Sequence, residues 1–359
     1  MSKKKIGIIV GAVVLAILVI VGVVLATSSK KKTPDKTTSG KTETVAGHEG
    51  EVKSYLTGEW VDKKIGNSRP IAVMTGNTKE ALPQYGLNSA GVIYEAPVEG
   101  GITRLMAIYE DYKDLKQIGT VRSCRPYYAY FAKEFDAIYV HVGQSVHAEE
   151  LLNSGFIDHL SGLDGSVSDT FYRTDEHPAP HNCFTSAEGI ASGIKTKGYS
   201  TSYSSSYKGH YQFAEDGKVE KLKDGEDCVY IKPYYFYNKP SFVYDSKTKK
   251  YKRYHFGEEH IDALDKKQIE VSNIIFQNVD YSIYEGTQYL NIPVDGSGDG
   301  KFFTNGKMID VTWKKQDDGI THYYDKDGKE ITLNQGKTWV CIIQNEYADE
   351  SVFSDKIEQ

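Results

Sequence analysis

The chain has 359 residues, with 43 Lys and Arg against 49 Asp and Glu and a formal charge of −6. Six lysines and no acid fall within residues 1–32, so the remainder carries −12. That balance argues against a general nucleic-acid or anionic-lipid binder and confines any anion site to a local basic pocket.

Lys3, Lys4 and Lys5 precede an uncharged run of 21 residues, Ile6 to Ala26. Such a run crosses a bilayer as a helix and exceeds the apolar core of a signal peptide, about 7–15 residues. We read residues 1–5 as a cytoplasmic tail and 6–26 as a single transmembrane anchor at the plasma membrane, with the bulk of the chain extracytoplasmic. Residues 27–58, rich in Thr, Lys, Ser, Gly and Glu, read as a flexible linker.

Residues 59–204 alternate strand and helix signals, which predicts an α/β domain. Pro70 to Met74, Gly91 to Tyr94 and Ile102 to Tyr109 are short apolar runs that read as strands. Pro126 suits the first position of a helix reaching about Lys133. Ala137 to His141 is the next strand and Val146 to Leu152 the next helix. Thr185-Ser-Ala-Glu188 fits a capping box that opens a further helix. A Ser- and Tyr-rich break lies near residues 200–206.

Residues 205–345 read as mainly antiparallel β, and 346–359 as a tail. Phe242 to Tyr244 and Tyr251 to Phe256 flank a hairpin turn at 245–250. Asn273 to Val279 is a buried strand candidate. Phe302-Phe303, Asn305-Gly306, Val311 to Trp313 and Tyr323-Tyr324 form a succession of strands and turns. Thr338 to Ile343 reads as the last strand.

The chemistry concentrates between Arg122 and Asn182. Arg122, Ser123 and Arg125 precede the helix at Pro126, where free backbone N–H groups favour an anion. Arginine forks suit carboxylate or phosphate. The alternative is that these arginines pair with Glu95, Glu99 or Asp136 to stiffen the fold. His141 and Ser145 sit at a strand end leading into a helix and can form a base–nucleophile pair, though no Gly-x-Ser-x-Gly elbow is present. The simpler reading makes Ser145 a helix cap. Glu95 and Glu99 offer carboxylates near Arg104, and Arg173, His181 and Asn182 complete the set. His141, His147, His177 and His181 can bind zinc, yet none shows His-x-x-x-His spacing on one helix, so the signal for a metal is weak and we expect neither metal nor cofactor. Cys124, Cys183, Cys228 and Cys341 form no Cys-x-x-Cys motif. They are disulfide candidates or unpaired core residues.

Several segments resemble the YerB-like lipoprotein family. They are Arg69 to Met74, Tyr94-Glu95, Val98 to Arg104, Val121 to Arg125, Tyr139 to His141 with Gly143 and Ser145, and Pro180-His-Asn182. The second half adds Asn273-Ile-Ile, Gly296-Ser-Gly298, Asn305-Gly-Lys307, Thr312-Trp313, Asp327 to Ile331 and Gly336 to Trp339. The resemblance covers roughly residues 65–345. It implies a bacterial, extracytoplasmic, membrane-tethered protein of paired domains, and no reaction. Two departures stand out. Leu25-Ala-Thr-Ser28 lacks a lipobox cysteine, so anchoring falls to the helix. The family pattern places alanine where Cys124 sits, which counts against Cys124 as a nucleophile.

Three functional readings follow. The first is recognition of an anionic envelope ligand, such as a cell-wall fragment or a peptide carboxylate, by an Arg/His pocket. The second is a wall- or glycan-acting enzyme with His141 as acid/base. The third is an interaction scaffold. The expected partners are the membrane and a cell-wall component, not nucleic acid.

Overall fold

Ile71-Ala-Val-Met-Thr-Gly76 lacks the usual polar alternation because both faces of its strand are covered. Ala72 and Met74 point into one core cluster with Tyr94, Met106, Tyr128 and Phe131. Ile71 and Val73 point into another with Ile93, Leu105, Ile190 and Phe242. The strand period of two thus divides each apolar run between two cores. The structure, a computed structural model, describes residues 47–357. The expected membrane span and most of the expected linker lie outside the described residues. Among the described residues no helix is long and apolar enough to cross a membrane.

Eleven strands build the central sheet. From the first half come β1 (Ile71–Gly76), β2 (Val92–Pro97), β3 (Thr103–Tyr109), β4 (Ile138–His141) and β5 (His159–Ser161). The short β6 (Glu226–Asp227) follows, and then β7 (Tyr230–Lys232), β8 (Ser241–Asp245) and β9 (Lys250–His255), which belong to a second, six-stranded sheet. The central sheet resumes with β10 (Asn273–Val279), β11 (Ser297–Thr304), β12 (Lys307–Lys315), β13 (Thr321–Tyr324) and β14 (Thr338–Gln344). Its order is β6-β12-β11-β10-β14-β2-β3-β1-β4-β5, with β13 beside β12. Strand β14 pairs in parallel with both β10 and β2, so the two halves of the sequence share one sheet.

The hairpin expected around 245–250 forms between β8 and β9. Asn305 and Gly306 turn β11 into β12 with φ of 52° and 76°, the left-handed pair that an Asn-Gly hairpin requires.

The helices are few and short. Helix α1 (Pro126–Lys133) starts at its proline and buries Tyr127, Tyr128, Ala129, Phe131 and Ala132. Phe131 stacks on Tyr94 of β2 at 4.9 Å between centroids. Full burial of one such ring stabilises the fold by roughly 2–3 kcal/mol. Helix α2 (Val146–Asn153) buries Ala148 and Leu152, one turn apart. Helix α3 (Ala187–Lys197) ends on Gly198 at φ 69°.

Several expectations need correction. The chain is mostly β, and its first half is a mixed sheet with short helices rather than a regular α/β layer. The cap of α3 is Ser186, whose side chain accepts from Gly189 N, because Thr185 belongs to a strand and donates to Thr170 O at 2.7 Å. Residues 51–58 are not a free linker: Glu51–Lys53 pairs with Trp60–Asp62, and Leu56 is fully buried. The supposed tail supplies β15 (Val352–Ser354), which pairs with β7. All four cysteines are free and buried, so none forms a disulfide.

Candidate anion-binding site

The carboxyl ends of β1, β2 and β4 gather on one edge of the sheet, where β3 begins. Register places Arg104 opposite both Gly76 and Ala96. Residues 121–125 run along the same edge: Val121 bridges Thr75, Arg122 N–H donates to Met74 O at 3.0 Å, and Cys124 bridges Gln144. The starts of α1 and α2 are thereby laid side by side. Neither is closed by its own side-chain cap, since Arg125 and Ser145 make no cap hydrogen bond. Carboxyl ends of strands beside helix starts are where open α/β sheets gather ligands.

Three arginines gather around one carboxylate, and two of them touch it. Arg125 grips Glu99 sideways, with Nε 2.9 Å from Oε2 and Nη2 on Oε1. Its Nη1 donates to Cys124 O at 2.8 Å. Arg104 donates to Ser123 O at 3.0 Å and reaches Glu99 Oε1 at 3.5 Å. Arg122 is half-buried and donates to the carbonyl of Pro180 at 2.9 Å. Three positive charges against one negative leave the cluster at +2.

The electrostatics follow from that excess. Burial alone would raise the Glu99 carboxyl, but hydrogen bonding and charge from Arg125, then charge from Arg104, hold it below its ordinary value. Burial, then the fields of Arg104 and Arg125, push the Arg122 guanidinium down to about 10. An added anion would offset the like-charge field that Arg104 and Arg125 exert on Arg122. His181 is half-buried nearby and is pushed below its ordinary pKa by burial and then by Arg122. Ser145 Oγ is buried and has no hydrogen-bond partner among the described residues.

Other expected site residues are elsewhere. Glu95 is fully buried and saturated. Its carboxylate accepts from Arg253 Nη2 at 2.8 Å, Asn77 Nδ2 at 2.9 Å, Thr103 Oγ1 at 2.9 Å, Asn238 Nδ2 at 2.8 Å and Trp339 Nε1 at 3.2 Å. His141 is also fully buried: Nδ1 meets Gly143 O at 2.8 Å and Nε2 meets His159 Nδ1 at 3.0 Å. Both ring nitrogens are therefore occupied, and the base–nucleophile pair with Ser145 does not form. Burial pushes the His141 imidazole down to about 3. Arg173 and Asn182 bond each other at 2.7 Å on an exposed hairpin. Cys124 is buried, and burial pushes its thiol up to about 12, far from a reactive thiolate.

The second half supplies residues that the sequence did not reveal. Tyr289 covers the Arg125 guanidinium at 4.9 Å, and Tyr284 stacks on His147 at 3.7 Å. Both belong to the hairpin formed by Ser282–Ile283 and Leu290–Asn291. The abundance of tyrosine was visible in the sequence, but nothing linked these two to arginines of the first half.

Comparison with known proteins agrees with this architecture. Residues 56–200 match the N-terminal domain, and residues 230–340 the C-terminal domain, of the family described as "Protein of unknown function (DUF3048)". The Bacillus subtilis (strain 168) protein named "Putative lipoprotein YerB" is 31% identical over 296 residues, covering 81% of this chain and 86% of that protein. The crystal structure of YerB from Bacillus subtilis superposes with a TM-score of 0.74 at 30% identity, covering 84% of this chain and 99% of that one. The chain is thus a member of the DUF3048 family and a relative of YerB.

Proposed function

We propose that the protein is an envelope receptor for an anionic ligand, a cell-wall fragment or a peptide carboxylate, held at the arginine cluster. The observation that carries this reading is the surplus charge: Arg104, Arg122 and Arg125 face a single carboxylate beside two helix starts. The relative's name, a lipoprotein, supports a place outside the cytoplasm, and the apolar run at 6–26 supports tethering by a membrane helix. Residues 59–204 and 205–345 then act as two lobes joined by the shared sheet. The reading needs no nucleic acid, metal or cofactor. Ser123, Ser145 and His181 supply donors around the arginines. Glu95 and His141 support the lobe from within, and Arg173 with Asn182 lies at its rim. The buried, doubly bonded state of His141 gives an acid–base enzyme no support.

Arg122 is the residue to test, because among the described residues its guanidinium is committed only to a carbonyl. Titration with an N-acetylated dipeptide bearing a free C-terminal carboxylate should give saturable binding that its C-terminal amide lacks. Arg122→Ala should weaken that binding about 10-fold, the loss of one charge-assisted bond of roughly 1.4 kcal/mol. Equal binding of acid and amide contradicts the reading.

A further inference from the structure

A cleft of about 470 Å³ opens beside the arginine cluster. Tyr234, Phe236, Tyr281, Ile283 and Tyr347 line it, together with the turn from Val98 to Ile102. Phe236, Ile283 and Tyr347 are 70%, 57% and 36% exposed. Apolar side chains gathered this way around a concavity mark a contact surface more often than chance exposure does. Tyr234 and Tyr347 stack with centroids 5.2 Å apart. Among the lining residues Glu99 alone carries a charge.

Glu99 therefore belongs to two places. It lines the aromatic cleft, and it occupies the fork of Arg125 and the edge of Arg104. It rides on a turn closed at its neck by Val98 N–H to Ile102 O at 2.9 Å. Gly100 and Gly101 form the tip, at φ of 75° and 69°. Phe236 leans on that tip, within 3.4 Å of where a Cβ on Gly101 would stand. The resident carboxylate shows what the arginine fork accepts, a planar carboxylate held side-on, and Glu99 is the residue through which the cleft meets the fork.

We propose that the cleft seats the ring of a carboxylated pyranose whose carboxylate takes the place of Glu99 on Arg125 and Arg104. The proposal rests on the anion-recognition reading and names its ligand class. A pyranose presents a flat C–H face to the tyrosine and phenylalanine rings, and Gln288 and Gln344 in the lining suit its hydroxyls. Glu99 then acts as a self-ligand that holds the arginines until the sugar acid displaces it. The surplus charge keeps the site cationic throughout the exchange.

The test compares N-acetylmuramic acid with N-acetylglucosamine, which shares the ring but lacks the lactyl carboxylate, by calorimetric titration of the intact protein. The acid should bind and the neutral sugar should bind at least 10-fold more weakly. Glu99→Gln weakens the self-ligand and should tighten the acid about 10-fold while leaving the neutral sugar unchanged. Phe236→Ala removes an exposed ring, should keep the fold by circular dichroism, and should weaken the acid several-fold without changing binding of the carboxylate dipeptide. Equal binding of the two sugars, or weaker acid binding by a folded Glu99→Gln variant, overturns the proposal. If the dipeptide still binds through Arg122 while the sugar acid does not, the cleft proposal falls and the anion reading stands. If neither binds, both fall.

Discussion

Glu95 and Glu99 lie four residues apart, each is paired with arginine, and they do opposite things. Glu95 has no exposure and one arginine, and neutral donors fill its remaining lone pairs. Glu99 has a side chain 24% exposed and stands before three arginines, only two of which touch it. The first centre is closed: charge is balanced, and Arg253 and Trp339 hold β2 against the second sheet and β14 from full burial. The second is open, with charge in excess and the carboxylate partly exposed. Balance and exposure, rather than the presence of an Arg–Glu pair, separate a structural ion pair from a site.

The largest effect should come from breaking the closed centre. Arg253→Ala leaves Glu95 buried without its counter-charge and should cost about 3–5 kcal/mol of stability. Chemical denaturation measures it. Ligand affinity per folded molecule should stay unchanged, and a loss below about 1 kcal/mol would show that the pair is not needed.

Acid should act on the same centre next. His255 stacks on His260 at 3.7 Å, and His260 bonds Arg253. Burial and then Arg253 push His255 down to about 3, as burial does for His141. Unfolded histidine takes a proton near pH 6.5. Between that value and about 3 the unfolded chain binds more protons, so stability should fall as pH drops through this window. Glu99 adds in the same direction: its stabilisation, present above the unfolded carboxyl pKa, is lost as pH falls through the lower folded one. Denaturation midpoints at pH 7 and 4.5 should differ, and His255→Gln should shrink the difference. An undiminished difference places the acid sensitivity elsewhere.

Arg125→Ala should act on both properties. It strands a partly solvated carboxylate, for about 1–3 kcal/mol of stability. It should also weaken the carboxylate dipeptide. The smallest effect on stability should come from Arg122→Ala, within about 0.5 kcal/mol by thermal unfolding, although binding falls about 10-fold. A stability loss from Arg122→Ala as large as that from Arg125→Ala would erase the distinction between the two centres.

Much of the local structure was legible in the sequence. Pro126 marked the start of α1, Asn305-Gly306 marked a hairpin, and the apolar runs marked β1 to β4, because each signal acts through its immediate neighbours. The partners of the charged residues were not legible. Glu95 finds Arg253 and Arg125 finds Tyr289 only after β14 joins the two halves in one sheet, and such pairing leaves no trace in local pattern. His141 illustrates the same limit. A histidine at the end of a buried strand reads as a proton carrier until its neighbour β5 places His159 against it. Arg122 and Arg125 do lie in one cluster, but His141 is engaged elsewhere, and the pairing of Arg125 with Glu99 is the fold-stiffening alternative that the sequence also offered. The arginine best placed to serve a ligand is Arg122, not the ion-paired Arg125.

The most direct measurement follows the arginine Nε–H resonances by NMR while N-acetylated dipeptide acid is added. Saturable shifts are expected at Arg104, Arg122 and Arg125, with Arg253 unmoved and the dipeptide amide without effect. Unmoved signals at the three arginines, or shifts shared equally by Arg253, would contradict an open anion site beside a closed one.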